Sequence, residues 1–405
     1  MPKERIGIMG GSFNPIHERH VEMALAAKEE YGLDRLIFLP TGNPPHKREG
    51  LAGAEERFEM TRLAVFGRPG CVASRMEVER TGVIYTVDTL SAMQKQMPDA
   101  ELNYIIGEDT LMNLPNWRKP DKVFSMCRFL VCCRTSEDIE KLPVVQELCQ
   151  RGGRFSFLSL PPSQVSATVA RQKVAAGEKA EELAPQVREY IRVMGLYGCQ
   201  PLIPNGRETY TRLKQALSDK RLFHSLLVAD TARQLALLHG VDPQKAELAG
   251  LLHDSAKCLP LGEMQRLVRQ QRLLLDRETL QSGNLLHGPA GAVLAQEEYG
   301  VTDPNILSAI RCHTTGKVGM LPLDLIVYLA DKIEPSRRAY PALEQARALA
   351  DTNLAAAARQ LMESSMAYVR SQGGQPHPVT QQAAEWLKRL DKSGRNKERG
   401  ENPNE

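Results

Sequence analysis

The chain has 405 residues, of which 42% are hydrophobic and 25% charged, and its formal net charge is +3. That length fits two domains of ordinary size, and the composition fits soluble globular structure. The charge is too small to argue for nucleic acid as a partner, and no run of about 18 apolar residues exists to span a membrane. The opening MPKERIGIMGGSF is too short and Gly-rich for a signal peptide, so the expected location is the cytoplasm. Eight Cys occur without a CxxC pair and read as reduced thiols rather than a disulfide framework or zinc ribbon.

Residues 5–9 (RIGIM) read as a short buried strand, followed by Gly10-Gly11-Ser12 and a helical pattern from about His20 to Tyr31. LIFLP (36–40) is a second strand pattern, TGNPPHK (41–47) a Pro-rich loop, and 54–66 a helix. NYIIG (103–107), RFLVCC (128–133) and FSFLSL (155–160) read as further strands, and VSATVARQKVA (165–175) opens the next helix. Strands alternating with helices predict a parallel sheet with crossover helices over residues 1–197. Residues 198–206 (GCQPLIPNG), with two Pro and two Gly, read as a linker. Beyond them the pattern is helical at 208–217, 221–239, 243–258, 261–275, 287–299, 304–313, 322–333, 342–371 and 378–390. A helical domain is therefore expected over 207–391. The polar residues 392–405 read as a disordered tail.

In the N-terminal half, Gly10, Gly11 and Ser12 sit between a strand and a helix, where backbone N–H groups can meet phosphate. An ordinary tight turn reads the same way. His17 and His20 lie three apart and share a helix face. Two imidazoles beside a Gly-rich turn can stabilise charge on a phosphate, and two solvated surface His fit the spacing equally. Ser166, Thr168 and Arg171 open a later helix and could bind outer phosphates, although Ser166 is also a plain N-cap.

In the C-terminal half, His224, His253-Asp254, His287, His313 and Asp331 recur in apolar helical segments, and four of the nine His of the chain are among them. His and carboxylate ligands without Cys suit a catalytic metal. Asp254 is short enough to bridge two ions. Pro289 suits a helix first turn. His239 and His377 fit no motif and read as structural.

Two resemblances follow from these residues. GIMGGSFNPIHERH (7–20), PPHK (44–47), YTVDTL (85–90), IIGEDTLMNLPNWRKP (105–120) and VSATVAR (165–171) resemble bacterial nicotinate-nucleotide adenylyltransferases over about residues 4–197. The resemblance implies a Rossmann-like α/β nucleotidyltransferase that joins nicotinate mononucleotide to ATP with Mg²⁺, giving deamido-NAD and pyrophosphate. It implies His17 and His20 at the transition state and Lys47 and Arg171 on phosphates. Gly10, Gly11, Ser12, Phe13, Asp109, Ser166 and Thr168 would hold the nucleotide. Thr86 and Trp117 would hold the nicotinate end, with Trp117 stacked on the ring. The family's HxGH motif carries Gly where this chain has Arg19. That departure predicts weakened transfer, or a front domain that only senses nucleotide.

The ordered set H…HD…H…H…D, with LLHDSAK (251–257), LLHGPAG (285–291), RCHTTG (311–316) and ADKIEPSR (330–337), resembles HD-domain phosphohydrolases that cut diadenosine tetraphosphate symmetrically into two ADP. That resemblance spans about residues 205–391 and implies an all-α HD domain with two metals, iron among the candidates. His224, His253, Asp254 and Asp331 would hold one ion; Asp254, His287 and His313 would hold the other. Lys257, Arg311, Thr314 and Thr315 are candidates for substrate phosphate, with surface or capping roles equally open. Another nucleotide as HD substrate is the remaining alternative. The oligomeric state is unknown from sequence.

Overall fold

Ile6, Ile8 and Met9 are buried along one strand, and their continuous burial is the mark of a parallel strand covered on both faces. That strand, β1 (Arg5–Gly11), is central in a six-stranded sheet with β2 (Arg35–Pro40), β3 (Cys71–Ala73), β4 (Glu101–Gly107), β5 (Arg128–Cys133) and β6 (Phe155–Ser159). The order is β3-β2-β1-β4-β5-β6 and every pairing is parallel. The computed structural model describes residues 3–42, 50–133, 136–203 and 205–398, with the backbone alone for 136–137 and 391–398. The chain divides into two compact units, Met1–Ile191 with Leu196–Gln200, and Arg192–Gly195 with Pro201–Glu405.

In the first unit the sheet is joined by α1 (Glu18–Tyr31), α2 (Ala54–Val65), α3 (Thr86–Gln96), α4 (Glu108–Asn113), α5 (Pro120–Met126), α6 (Ser136–Glu140) and α7 (Pro143–Gln150). Two more, α8 (Ala167–Ala175) and α9 (Pro185–Met194), follow β6. The chain runs from β1 outward to β2 and β3, then returns to β4 on the other side. The carboxyl ends of β1 and β4 therefore diverge, and a doubly wound sheet binds its ligand at that switch point. Phe129 anchors the core beside this point, stacked on Phe155 with centroids 5.5 Å apart and edge-on to Phe124. β3, α3 and the short helices α4 to α7 escaped the sequence reading; a three-residue edge strand has too little period to register.

The second unit is helical: α10 (Gly206–Ala216), α11 (Asp219–Leu238), α12 (Pro243–Leu252), α13 (Leu261–Gln270), α14 (Arg277–Gln281), α15 (Gly283–Glu297), α16 (Pro304–Cys312), α17 (Pro322–Ile333), α18 (Pro341–Ala350), α19 (Leu354–Ser371) and α20 (Pro378–Glu398). α11 and α12 pack backbone to backbone, since a Cβ on Gly250 would lie 2.9 Å from the Cα of Ala229. Small residues at this crossing leave room for the imidazoles that follow.

Four expectations change. The stretch 342–371 is two helices, because Asn353 accepts a hydrogen bond from the Ala356 N–H at 2.9 Å and starts α19 afresh. Pro289 lies inside α15, not in its first turn, because the helix begins at Gly283. α12 stops at Leu252, so His253 is its C-cap and Asp254 lies beyond. α20 is described through Glu398, past the 390 at which its periodicity fades; the rest of the expected tail is outside the described residues. Among the described residues no helix is long and apolar enough to cross a membrane. All eight cysteines are free.

Candidate active sites

A cavity of about 450 Å³ opens where β1 and β4 end. Of the residues expected there, Gly10, Gly11, Ser12, His17, His20, Asp109 and Trp117 line it, joined by Arg19, Tyr104, Pro162 and Ser163. Gly10 has to be Gly, since a Cβ would run into the Tyr104 hydroxyl. His17 is the N-cap of α1 with extended backbone (φ −135°, ψ 168°), which turns its ring onto that of His20. The two rings stack with centroids 3.7 Å apart and planes 23° from parallel. The His17 backbone N–H donates to His20 Nδ1 at 3.3 Å, so a neutral His20 carries its proton on Nε2.

Burial pulls the His17 imidazole down to about 4, against an upward pull from Glu182. Burial and the neighbouring His17 ring hold His20 well below the usual histidine range. Both rings are therefore neutral at pH 7 and act as N–H donors rather than cations. Neutral donors aimed into a cavity can stabilise charge that develops during reaction. His17 Nδ1 is buried without a hydrogen-bond partner.

Arg19 lies on the cavity wall with its guanidinium turned aside. It donates to the Pro161 carbonyl at 2.7 Å and pairs with Glu22 at 3.4 Å. Phe13 is buried and meets His20 edge-on at 5.1 Å, supporting the ring from behind. Thr86 opens α3 and hydrogen-bonds Tyr104, which in turn meets Trp117 edge-on at 5.9 Å. Ser166 caps α8, accepting from the Val169 N–H at 3.2 Å. Arg171 donates to the Asn14 carbonyl at 2.7 Å and to Thr168 Oγ1 at 3.3 Å. It lines a second cavity, of about 410 Å³, with Gly50, Ala52 and Tyr197. Lys47 lies outside the described residues. Tyr104, Asn14, Arg57 and Tyr197 were missed; only Arg57, a charge between the apolar positions of α2, carried any signal.

In the second unit five helices bring the six expected ligands together. His224 is in α11, His287 in α15 and Asp331 in the last turn of α17, while His253 and His313 are the C-caps of α12 and α16. Two groups have ligand atoms within 4.8 Å of one another: His224, His253 and Asp254, and Asp254, His287 and His313. Asp331 Oδ1 lies 3.1 Å from His224 Nε2 and 3.7 Å from His253 Nε2. Asp254 stands between the groups, its Oδ1 3.1 Å from His287 Nε2 and its Oδ2 3.7 Å from His253 Nε2.

The ring nitrogens favour a cation. His253 and His313 hold the Gly250 and Ile310 carbonyls through Nδ1 at 2.6 and 2.7 Å. His287 Nδ1 is 3.2 Å from the Gly283 carbonyl, and His224 Nδ1 is 3.1 Å from Glu334 Oε1. Each Nδ1 is thus turned to an oxygen acceptor and each Nε2 faces the centre, which is how metal-binding histidines are oriented. His253 Nε2 is buried with no hydrogen-bond partner. Burial works to raise the Asp254 carboxyl, but the facing His253, His287 and His313 rings bring it below the usual carboxylate range. Asp331 is likewise held low, by Lys332 and His224 against burial. The donor set fits divalent ions.

Lys257 Nζ is 3.3 Å from His287 Nδ1, and Thr314 Oγ1 is 3.3 Å from His313 Nε2, so both border the cluster. Thr315 instead donates to the Gly316 carbonyl at 3.0 Å, and Arg311 is exposed. Sequence reasoning missed Glu334, Arg221 and Arg337. Arg221 pairs with Asp254 at 3.0 Å and Arg337 with Asp331 at 2.7 Å. His239 and His377 stand apart, on the Ala350 carbonyl at 2.7 Å and Asp276 at 3.4 Å.

A parallel-sheet unit with a switch-point cavity and a helical unit with clustered imidazoles and carboxylates define a nucleotidyltransferase-like domain joined to an HD domain. The cytidylyltransferase-like family profile matches residues 8–173, and the HD domain profile matches residues 221–336. A Mycoplasma genitalium protein named "Probable nicotinate-nucleotide adenylyltransferase/Ap4A hydrolase" is 30% identical over 336 residues, covering 83% of this chain and 89% of that protein. A Gloeobacter violaceus protein named "Probable nicotinate-nucleotide adenylyltransferase" is 37% identical over 198 residues, covering 48% of this chain and 96% of that protein. The crystal structure of an HD superfamily hydrolase from Clostridium acetobutylicum, described as involved in NAD metabolism, is 36% identical, with a TM-score of 0.43 over 45% of this chain and 95% of that one. This chain belongs to the family of two-domain nicotinate-nucleotide adenylyltransferase/Ap4A hydrolases.

Proposed function

We propose that the chain is a bifunctional enzyme. The first unit transfers the adenylyl group of ATP to nicotinate mononucleotide, and the second hydrolyses diadenosine tetraphosphate to two ADP. For the first reaction the supporting observation is the stacked, neutral His17–His20 pair in the switch-point cavity. A phosphate oxygen of nicotinate mononucleotide attacks the α-phosphorus, and the bond from that phosphorus to the oxygen bridging the β-phosphorus breaks. Pyrophosphate leaves. His20 Nε2–H donates to the charge that develops, while the N–H groups of the Gly10–Ser12 turn hold the phosphates. Mg²⁺, when bound with ATP, neutralises phosphate charge. Asp109 serves the adenosine part and Trp117 and Thr86 the nicotinate end. Ser166, Thr168, Arg171 and Lys47 serve the outer phosphates, which requires the β- and γ-phosphates to extend toward α8.

For the second reaction the supporting observation is the set of four Nε2 lone pairs converging with Asp254 and Asp331. His224, His253, Asp254 and Asp331 hold one ion; Asp254, His287 and His313 hold the other; iron is the proposed metal. Two ions held there would supply Lewis acidity to the phosphate oxygens and to an attacking water. Lys257 and Thr314 orient the phosphates beside them, with Arg311 and Thr315 further out. Water attacks one of the two central phosphorus atoms; as that P–O bond forms, the bond from the same phosphorus to the bridging oxygen breaks. The water oxygen stays on one ADP, the bridging oxygen leaves on the other, and the water's proton is released.

The test is direct. The purified chain is given nicotinate mononucleotide, ATP and Mg²⁺, and separately diadenosine tetraphosphate with Fe²⁺, Mn²⁺ or Zn²⁺. Deamido-NAD with pyrophosphate, and two ADP, are the expected products. ATP plus AMP from the second substrate would refute symmetrical cleavage. A second reading has one observation behind it: Arg19 stands in the cavity wall where the motif carries Gly. On that reading the first unit binds nucleotide without transferring it, and ATP binding without deamido-NAD is its signature.

A further inference from the structure

We infer that Arg57 is a positioning residue for adenylyl transfer, tying the Gly-rich turn after β1 to the segments that follow β2 and precede α2. The inference rests on the transferase reading above. Arg57 is 1% exposed, although a charge so placed is costly unless its donors are satisfied. Its guanidinium meets four acceptors on three segments. It donates to the Ser12 carbonyl at 2.8 Å, the Gly42 carbonyl at 2.7 Å, the Ala52 carbonyl at 3.0 Å and Thr41 Oγ1 at 3.3 Å. Ser12 lines the cavity that holds His17 and His20. A planar fork with five donors reaches four acceptors on three segments in this way; an ammonium has only three donors, all at one point.

Two further ties make the arrangement rigid. The Gly42 N–H is hydrogen-bonded to buried Glu77, which accepts from Thr89 Oγ1 of α3 at 2.8 Å. On the other side, Asn14 Oδ1 accepts from the Ala52 N–H at 3.1 Å and from the Tyr197 hydroxyl at 2.8 Å, while Asn14 Nδ2 donates to the Gly50 carbonyl at 3.1 Å. Residues 12–14, 41–42 and 50–52 are therefore one hydrogen-bonded unit with Arg57 at its centre. The first of these segments continues from the Gly10–Ser12 turn, whose N–H groups would meet the triphosphate on the transferase reading. A shift of that segment moves the donors away from the phosphates, and small misplacements at a reacting centre cost rate steeply. Arg57 touches neither substrate.

The experiment compares the full chain with Arg57→Lys, which keeps charge but loses the fork, and with Asn14→Ala, which cuts the second tie and leaves the guanidinium in place. Steady-state kinetics of deamido-NAD formation are measured with each substrate varied, alongside thermal unfolding. The expected result is a KM for ATP raised by about fivefold or more in both variants. The KM for nicotinate mononucleotide stays within about twofold, and unfolding curves match the parent. If Arg57→Lys fails to fold, Asn14→Ala carries the comparison alone. Parental KM values for ATP in variants that fold, with only kcat falling in step with the folded fraction, would mean a structural role and overturn the inference. A parent that neither forms deamido-NAD nor binds ATP would overturn the transferase reading, and the inference with it.

Discussion

His287 Nε2 and His313 Nε2 face each other at 3.0 Å, while the Nδ1 of each ring is turned to a main-chain carbonyl of its own helix. With both Nδ1 atoms donating, the two Nε2 atoms present lone pairs to one another. Such a contact is repulsive unless a cation or proton lies between, and Asp254 Oδ1 adds a negative charge 3.1 Å from His287. A divalent ion between them would accept both Nε2 lone pairs and the Asp254 carboxylate together.

Chelation should therefore lower stability as well as activity. Binding to the folded state at about 1,000 times the dissociation constant is worth about 4 kcal/mol. Calorimetry of the full chain with a chelator, then with Mn²⁺ or Fe²⁺ restored, should show one transition moving upward with metal. Diadenosine tetraphosphate hydrolysis should vanish and return with it. A transition indifferent to metal would count against the site.

Glu334 is 1% exposed and holds His224 Nδ1. A partner of this kind fixes tautomer and orientation, and its loss commonly costs tenfold to about a hundredfold in metal affinity. Glu334→Gln should weaken metal binding by that order in a titration. Asp254→Asn should abolish hydrolysis while deamido-NAD formation stays at the parental rate.

The acid side of the stability profile should carry the mark of His17. Its folded pKa is depressed from 6.5 to about 4. Between those values the unfolded chain binds more protons than the folded one, so stability is full above pH 6.5 and declines as pH falls toward 4. About 3 kcal/mol is lost over that window. His17→Asn should flatten the fall in melting temperature between pH 6.5 and 4.5. An unchanged slope would mean that His17 titrates normally.

Arg19→Gly separates the two readings of the first unit. The guanidinium is anchored on Pro161 and Glu22, so the cavity is open with Arg19 in place. The parent should form deamido-NAD, with the variant within about tenfold of it, a difference near 1.4 kcal/mol in barrier. A silent parent with an active variant would make Arg19 the residue that disables transfer.

Much of this was legible without coordinates. The strands β1, β2, β4 and β5 showed as short apolar runs, because a strand buried on both faces leaves no polar alternation; β6, an edge strand only partly buried, showed through its aromatic and aliphatic residues. The six candidate ligands stood out as titratable residues in apolar segments, where each needed a partner, and the fold clusters them. Ser166 went the other way: the plain N-cap that sequence left open is what the helix uses.

Other contacts had no sequence signal. His224 and Asp331 lie 107 residues apart, and their 3.1 Å contact depends on how α11 and α17 pack. Arg171 and His17 share a motif set yet line different cavities. The role of Arg57 rests on carbonyl acceptors, and every residue has a carbonyl.

The chain by itself determined the two-domain plan, the parallel-sheet class of the first domain and the ligand chemistry of the second, since these follow from local period and residue type. Tertiary structure alone decided which ring nitrogen faces the metal site, that Arg19 turns aside and that Arg57 binds three segments into one. Those outcomes depend on directions and distances between segments far apart in sequence, which packing sets and composition does not encode.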